Sequence, residues 1–131
     1  MEYGFHGLLK LDLALQYGFR GVAYDDKGEY DRAIADYDKA IELRPDDAEV
    51  YSSRGLAYYH KGEYDRAIAD YGRAIELKPD YANPYYGRGL LHKMRGEKEE
   101  AIRDFERVLE LREEEYWREE AEKQLRELRR H

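Results

Sequence analysis

Cysteine is absent from the 131 residues, which removes disulfide frameworks, thiolate zinc sites and cysteine nucleophiles together. That absence is compatible with a reducing compartment, and a cytoplasmic location is the expectation. A basic surplus is missing too: 23 Lys and Arg stand against 30 Asp and Glu, for a formal net charge of -7. A sequence-independent nucleic-acid binder needs a basic surface to displace counterions from phosphates, so no nucleic acid is expected as a partner. The small basic cluster Arg126, Arg129 and Arg130 does not overturn that. Long apolar runs are lacking as well. The N-terminal stretch is broken by Lys10, Asp12 and several glycines, short of the roughly 20 residues that cross a bilayer. Glu2 stands where a signal peptide would be basic, and no small-residue cleavage site follows a long apolar run. The expectation is a soluble chain with no membrane partner.

Patterns of catalysis and metal binding are also missing. His6, His60, His92 and His131 lie far apart, and none stands at zinc spacing from another. The acidic turn Asp25, Asp26, Glu29 and Asp31 has the wrong spacing for an EF-hand. The other carboxylates recur with a repeat or decorate polar faces, which leaves no isolated pair for hydrolysis. No phosphate loop, dinucleotide fingerprint or Gly-x-Ser-x-Gly elbow occurs. Neither an enzyme nor a cofactor is expected.

What the chain does have is internal repetition. Residues 14–47 and 48–81 align without gaps at a spacing of 34, and about two-thirds of the positions are identical. The stretch Gly28-Glu29-Tyr30-Asp31-Arg32-Ala33-Ile34-Ala35-Asp36-Tyr37 returns as Gly62-Glu63-Tyr64-Asp65-Arg66-Ala67-Ile68-Ala69-Asp70-Tyr71. Residues 82–115 form a third, more diverged copy that keeps Gly89, Gly96, Ala101, Ile102, Phe105 and Leu111. Each copy predicts two helices and a tight turn. Gly28, Gly62 and Gly96 fall where a helix C-terminus needs a left-handed residue. Pro45 and Pro79 follow the second helices, which cannot continue through proline. Tyr30, Ala33, Ile34, Tyr37, Ala40, Ile41 and Leu43 keep the three- and four-residue steps of one buried helical face. Residues 116–131 place Tyr116, Trp117, Ala121, Leu125 and Leu128 at helical spacing, as a cap that covers the flank of the last repeat would require.

The pattern over residues 14–115 resembles the tetratricopeptide repeat family. Its opening aromatic is Tyr17, Tyr51 and Tyr85; its first-helix small residue is Gly21, Gly55 and Gly89; its later aromatic is Tyr24, Tyr58 and the departing His92. The second helices supply Ala33, Ala67 and Ala101, then Tyr37, Tyr71 and Phe105, then Ala40, Ala74 and the departing Val108. Arg20, Arg54 and Arg88 stand where the family usually has leucine, and we expect them to pair with Asp36, Asp70 and Asp104. Glu113 replaces the third terminal proline. The resemblance implies an all-α, right-handed superhelical solenoid of antiparallel helix pairs. In sequence terms this is one domain over 1–131: an atypical segment 1–13, repeats 14–47, 48–81 and 82–115, and the cap.

The resemblance further implies a non-catalytic scaffold that holds a protein or peptide along a concave surface lined by the first helices. In this register the surface presents Val22, Leu56 and Leu90 as a row, flanked by Ser52 and Tyr86. Near the turns stand Asp25, Asp26, Tyr59, His60, Lys93 and Met94. An aliphatic or aromatic ligand is favoured over a purely polar one, unless neighbouring side chains or the N-terminal segment cover part of the row. Co-chaperones of the family clamp a C-terminal carboxylate with lysines, asparagines and arginine. The corresponding places here hold Gly18, Val22, Ser53, Asn83 and Gly87, so no cation remains for that task.

Upstream, Leu9-Lys10-Leu11-Asp12 sits where the other copies read Leu43-Arg44-Pro45-Asp46 and Leu77-Lys78-Pro79-Asp80. With leucine in place of proline, the first helix extends backwards and carries two apolar stripes. Leu9, Leu13, Tyr17 and Tyr24 fit the face that packs on the array; Phe5, Leu8, Leu11, Leu15, Phe19 and Val22 form the other. A helix apolar on two faces needs two partners. The second stripe is therefore expected in a homodimer or against a bound partner, or else folded over its own groove. Near-identical copies beside so atypical a start also fit an engineered or consensus-derived scaffold that self-associates and has no natural ligand.

Overall fold

The computed structural model describes residues 2–112 and 114–130, with side chains from residue 7 onward. The expectations placed on the side chains of Phe5 and His6, and on Glu113 and His131, fall outside the described residues. Among the described residues seven helices follow one another: α1 Glu2–Asp26, α2 Tyr30–Leu43, α3 Ala48–Lys61, α4 Tyr64–Leu77, α5 Ala82–Met94, α6 Lys98–Leu111 and α7 Glu115–Arg129. Among the described residues there is no strand, and no helix is long and apolar enough to cross a membrane.

The breaks fall at the predicted glycines, which adopt φ of +81° at Gly28, +88° at Gly62 and +76° at Gly96. The residue after each donates its N–H across the turn: Glu29 to the Tyr24 carbonyl at 2.8 Å, Glu63 to Tyr58 at 2.9 Å and Glu97 to His92 at 2.9 Å. That bond satisfies a carbonyl the helix end would otherwise leave open. A Cβ added at Gly62 would meet nothing within 4 Å, so the cost of a side chain there is conformational alone. Gly62→Ala should destabilise by about 1 kcal/mol, measurable as a shift of the urea midpoint. A change below a few tenths would show that the left-handed turn is not required. The second boundary signal also operates. α2 ends with Arg44 N–H donating to the Ala40 carbonyl at 2.8 Å, Pro45 follows, and Asp47 caps α3 by accepting from the Glu49 N–H at 3.1 Å.

The chain divides into two units, Met1–Asp70 and Tyr71–His131. In the first, Ala33, Tyr37 and Ala57 form a buried cluster with Tyr24, Ile34 and Val50 against it. Gly21 admits the Tyr37 ring: a Cβ there would stand 2.7 Å from Cε1. Burial pushes the Tyr37 hydroxyl above its usual pKa, and the nearby Asp25 and Asp26 add to the effect. In the second unit, α7 lies on α6. Ala101, Phe105, Leu125 and Leu128 form one buried cluster, and Tyr85, Val108 and Ala121 another. Gly89 lets α5 approach α6 around Phe105, where a Cβ would come within 2.9 Å of the ring.

Tyr17 and Tyr24 are half-buried as foreseen, but Leu9 and Leu13 are exposed. The side that packs on α2 is instead marked by Ala14, Gly21 and Asp25, because close helix contact favours small residues there and leaves Leu9 and Leu13 on the outer side.

Candidate interaction surface

The three arginine–aspartate pairs expected from the sequence all form, each spanning 16 residues from a first helix to a second. Arg20 donates to Asp36 through Nε at 2.8 Å and Nη2 at 2.7 Å. Arg54 does the same to Asp70 at 2.8 Å for both bonds, and Arg88 to Asp104 at 2.9 Å. These bidentate, charge-assisted bonds tie the two helices of each pair together, and they raise the pKa of all three guanidiniums. Each arginine also lies over the tyrosine three residues before it: Tyr17, Tyr51 and Tyr85. The first helices are thereby held with one face free.

In the first unit, Val22 on α1 and Leu56 on α3 are exposed aliphatics, at 43% and 42%. Ser52, expected beside them, is buried. Asp25, expected at the rim, is buried and paired: His60 Nδ1 lies 2.9 Å from its carboxylate. A carboxylate only accepts, so Nδ1 carries the proton. The His60 ring sits 5.5 Å from that of Tyr30 and 5.7 Å from that of Tyr59. Asp25, Tyr59 and His60 thus form a link between α1 and α3, with Tyr30 of α2 against it. Asp25 is buried within this link, Tyr59 is half-buried and His60 stays exposed.

In the second unit, the cap engages three of the four expected contact residues. Tyr86 meets Phe105 and Trp117 edge-on, both at 5.6 Å, and its hydroxyl donates to Glu120 at 3.3 Å. Leu90 packs on the cluster that includes Leu125 and Leu128. Lys93 donates to Gln124 at 2.6 Å and pairs with Glu127, which holds the Glu127 carboxyl below its usual range. Only Met94, at 55%, is exposed. The sequence placed a cap but not the face of α5 it would cover, because the cap's contacts occur once and leave no periodic trace. The residue that sequence reasoning overlooked is Asp38, on the exposed side of α2. It accepts from Nη1 of Arg54 at 2.8 Å and ties α2 to α3. Among the described residues no group of three or more His, Asp or Glu could hold a metal ion.

Models of the TPR repeat match residues 21–62 and 55–96, and a model of the tetratricopeptide repeat matches residues 82–115. The chain is a tetratricopeptide repeat protein. Its all-α architecture of paired helices is that of the family, which serves generally as an interaction module and not as an enzyme. Among solved TPR structures, the first TPR of Spaghetti (RPAP3) bound to HSP90 peptide SRMEEVD is similar. It has a TM-score of 0.84 and 30% identity, over 91% of this chain and 92% of that one. The second TPR domain of human RPAP3, in complex with HSP70 peptide SGPTIEEVD, has a TM-score of 0.81 and 28% identity over 92% and 98%. The Arabidopsis OM64 TPR domain shares the fold at a TM-score of 0.83 and 24% identity over 90% and 98%. No curated protein matches the sequence.

Proposed function

We propose that this TPR protein is a non-catalytic module that binds a protein or peptide through its first helices, with an aliphatic or aromatic ligand side chain set against Val22 and Leu56. The observation that carries the reading is the exposure of these two aliphatics on first helices that their arginine pairs and the Asp25–His60 link already hold in place. Exposed apolar groups on a rigid frame favour binding, since little side-chain order is lost when a partner arrives. The RPAP3 structures were obtained with peptides ending in Glu-Glu-Val-Asp, and the likeness supports peptide binding here. The ligand class differs in this reading. Gly18, Val22, Ser53, Asn83 and Gly87 offer no cation for a terminal carboxylate, and Lys93 is spent on Glu127.

The test is enrichment from an unbiased peptide library, followed by fluorescence anisotropy with the peptides recovered. Enriched peptides should carry an internal aliphatic or aromatic anchor, and Leu56→Asp should weaken them at least about tenfold, the effect of a charge placed in a desolvated contact. SRMEEVD should bind no better as a free acid than as its C-terminal amide. Retention of affinity in Leu56→Asp, or a marked preference for the free carboxylate, would overturn the assignment.

A further inference from the structure

We propose that the outer face of α1 is the two-fold interface of a homodimer, in which two copies of this helix pack antiparallel about Gln16. In the second copy of the repeat the corresponding face of α3 is covered. There Val50 packs on the Ala33–Tyr37–Ala57 cluster, Ser53 hydrogen-bonds the Tyr37 hydroxyl, and Arg54 turns its Nη1 to Asp38 of α2. The positions 34 residues earlier are Gln16, Phe19 and Arg20. None of them is covered: Phe19 is 70% exposed, and the Arg20 side chain is 58% exposed against 20% for Arg54.

The residue types on this face have also changed. Leu13 and Phe19 stand where the second copy has Asp47 and Ser53. The third copy has Tyr81 and Gly87 there, so the pairing of an aliphatic with an aromatic side chain belongs to α1 specifically. A surface helix that gains exposed apolar groups where its copy is polar is a mark of association.

The pattern then selects the occupant. In an antiparallel pair centred on residue 16, a residue n steps before the centre faces the one n steps after it on the other copy. Leu13 thereby meets Phe19, Leu9 meets Ala23, and Asp12 meets Arg20, each twice. Arg20 has given Nε and Nη2 to Asp36, and Nη1 has no partner among the described residues. The same atom of Arg54 takes a carboxylate, that of Asp38. In the dimer Asp12 of the other copy supplies it. A parallel arrangement would set Asp12 against Asp12 and Arg20 against Arg20, which is repulsive. A closed two-fold contact also uses one self-complementary patch on both copies.

The absence of cysteine makes the test direct. Gln16→Cys in the full chain, treated with a short bismaleimide, should give a covalent dimer in high yield. Ala23→Cys alone should give none, because two such thiols would lie ~21 Å apart along antiparallel helices. An equal mixture of Leu9→Cys and Ala23→Cys should cross-link to the mixed dimer. Sedimentation of the unmodified chain should show a monomer–dimer equilibrium that Phe19→Asp and Asp12→Arg each weaken at least tenfold. Asp12 has no described partner within its own chain, so Asp12→Arg should keep the circular dichroism spectrum of the parent. Monomers throughout, self-cross-linking by Ala23→Cys, or a dimer indifferent to Asp12→Arg would each overturn the proposal. The first of these would leave the face to a helix of another protein. Leu56→Asp is not on this face and should leave dimerisation unchanged.

Discussion

Truncating Phe105 to alanine is expected to cost about 3–5 kcal/mol, read as a fall in the urea midpoint of the helical signal at 222 nm. The ring is fully buried and shares a cluster with Ala101, Leu125 and Leu128. Tyr86 meets it edge-on at 5.6 Å. The magnitude lies at the high end because collapse around the void is obstructed. Gly89 already brings the α5 backbone as near as the ring permits, and α7 is held to α5 by the Lys93–Glu127 pair and by Tyr86–Glu120. A cavity that cannot close keeps both the transfer loss and the lost dispersion contacts. Against a total of about 5–15 kcal/mol for a domain, this is a large share. Trp117, the single tryptophan, lies 5.6 Å from the Tyr86 ring, so its emission should shift to longer wavelength as the cap loosens. A loss under ~1 kcal/mol, the ordinary effect of a random substitution, would show that Phe105 does not centre this cluster.

What could be read in the sequence, and what could not, follows from periodicity. The helix pairs, their turns and the arginine–aspartate pairs recur every 34 residues, so each copy corroborates the others. Gly62 predicts Gly28 and Gly96, and Arg54 with Asp70 predicts Arg20 with Asp36 and Arg88 with Asp104. Contacts made once have no such support. The engagement of Tyr86, Leu90 and Lys93 by α7 belongs to this group, as does the Asp25–His60 link, whose counterpart positions hold Tyr59 and Met94. Asp38 was hidden for a related reason: the second copy has Gly72 there, so the extra partner of Arg54 is not repeated. The exposure of Leu9 and Leu13 was missed because helical spacing identifies an apolar stripe without naming what covers it. Leu13 and Lys93, which depart from the repeat, are among the positions where structure and expectation part.

Among the three arginine–aspartate pairs, Arg54→Met should be the most costly, at about 2–4 kcal/mol. This is somewhat below the usual value for a buried pair because the arginine retains some contact with water. Asp70 is 6% exposed and accepts both Nε and Nη2 of Arg54. Without the guanidinium it becomes a carboxylate cut off from solvent, and its desolvation goes uncompensated. Arg54 also holds Asp38 and lies over the Tyr51 and Tyr58 rings, so one substitution severs a pair within the repeat and a tie to α2. Arg88→Met should cost less, since Arg88 is 27% exposed and hydrogen-bonds one carboxylate, Asp104, where Arg54 binds two. Arg20→Met should cost least: Asp36 is as buried as Asp70, but the Arg20 side chain is 58% exposed, so water can take the place of the lost guanidinium. Urea denaturation of the three variants should give this order. The decisive comparison is the double variant Arg54→Met with Asp70→Leu. If the loss comes from the stranded carboxylate, removing it should restore at least half of the stability, as replacement of a buried ion pair by apolar groups commonly does. A double variant no more stable than Arg54→Met would instead place the energy in the geometry the guanidinium imposes on Asp38 and the two tyrosines. In that event the recurring pair is chiefly a device for setting the angle between first and second helices.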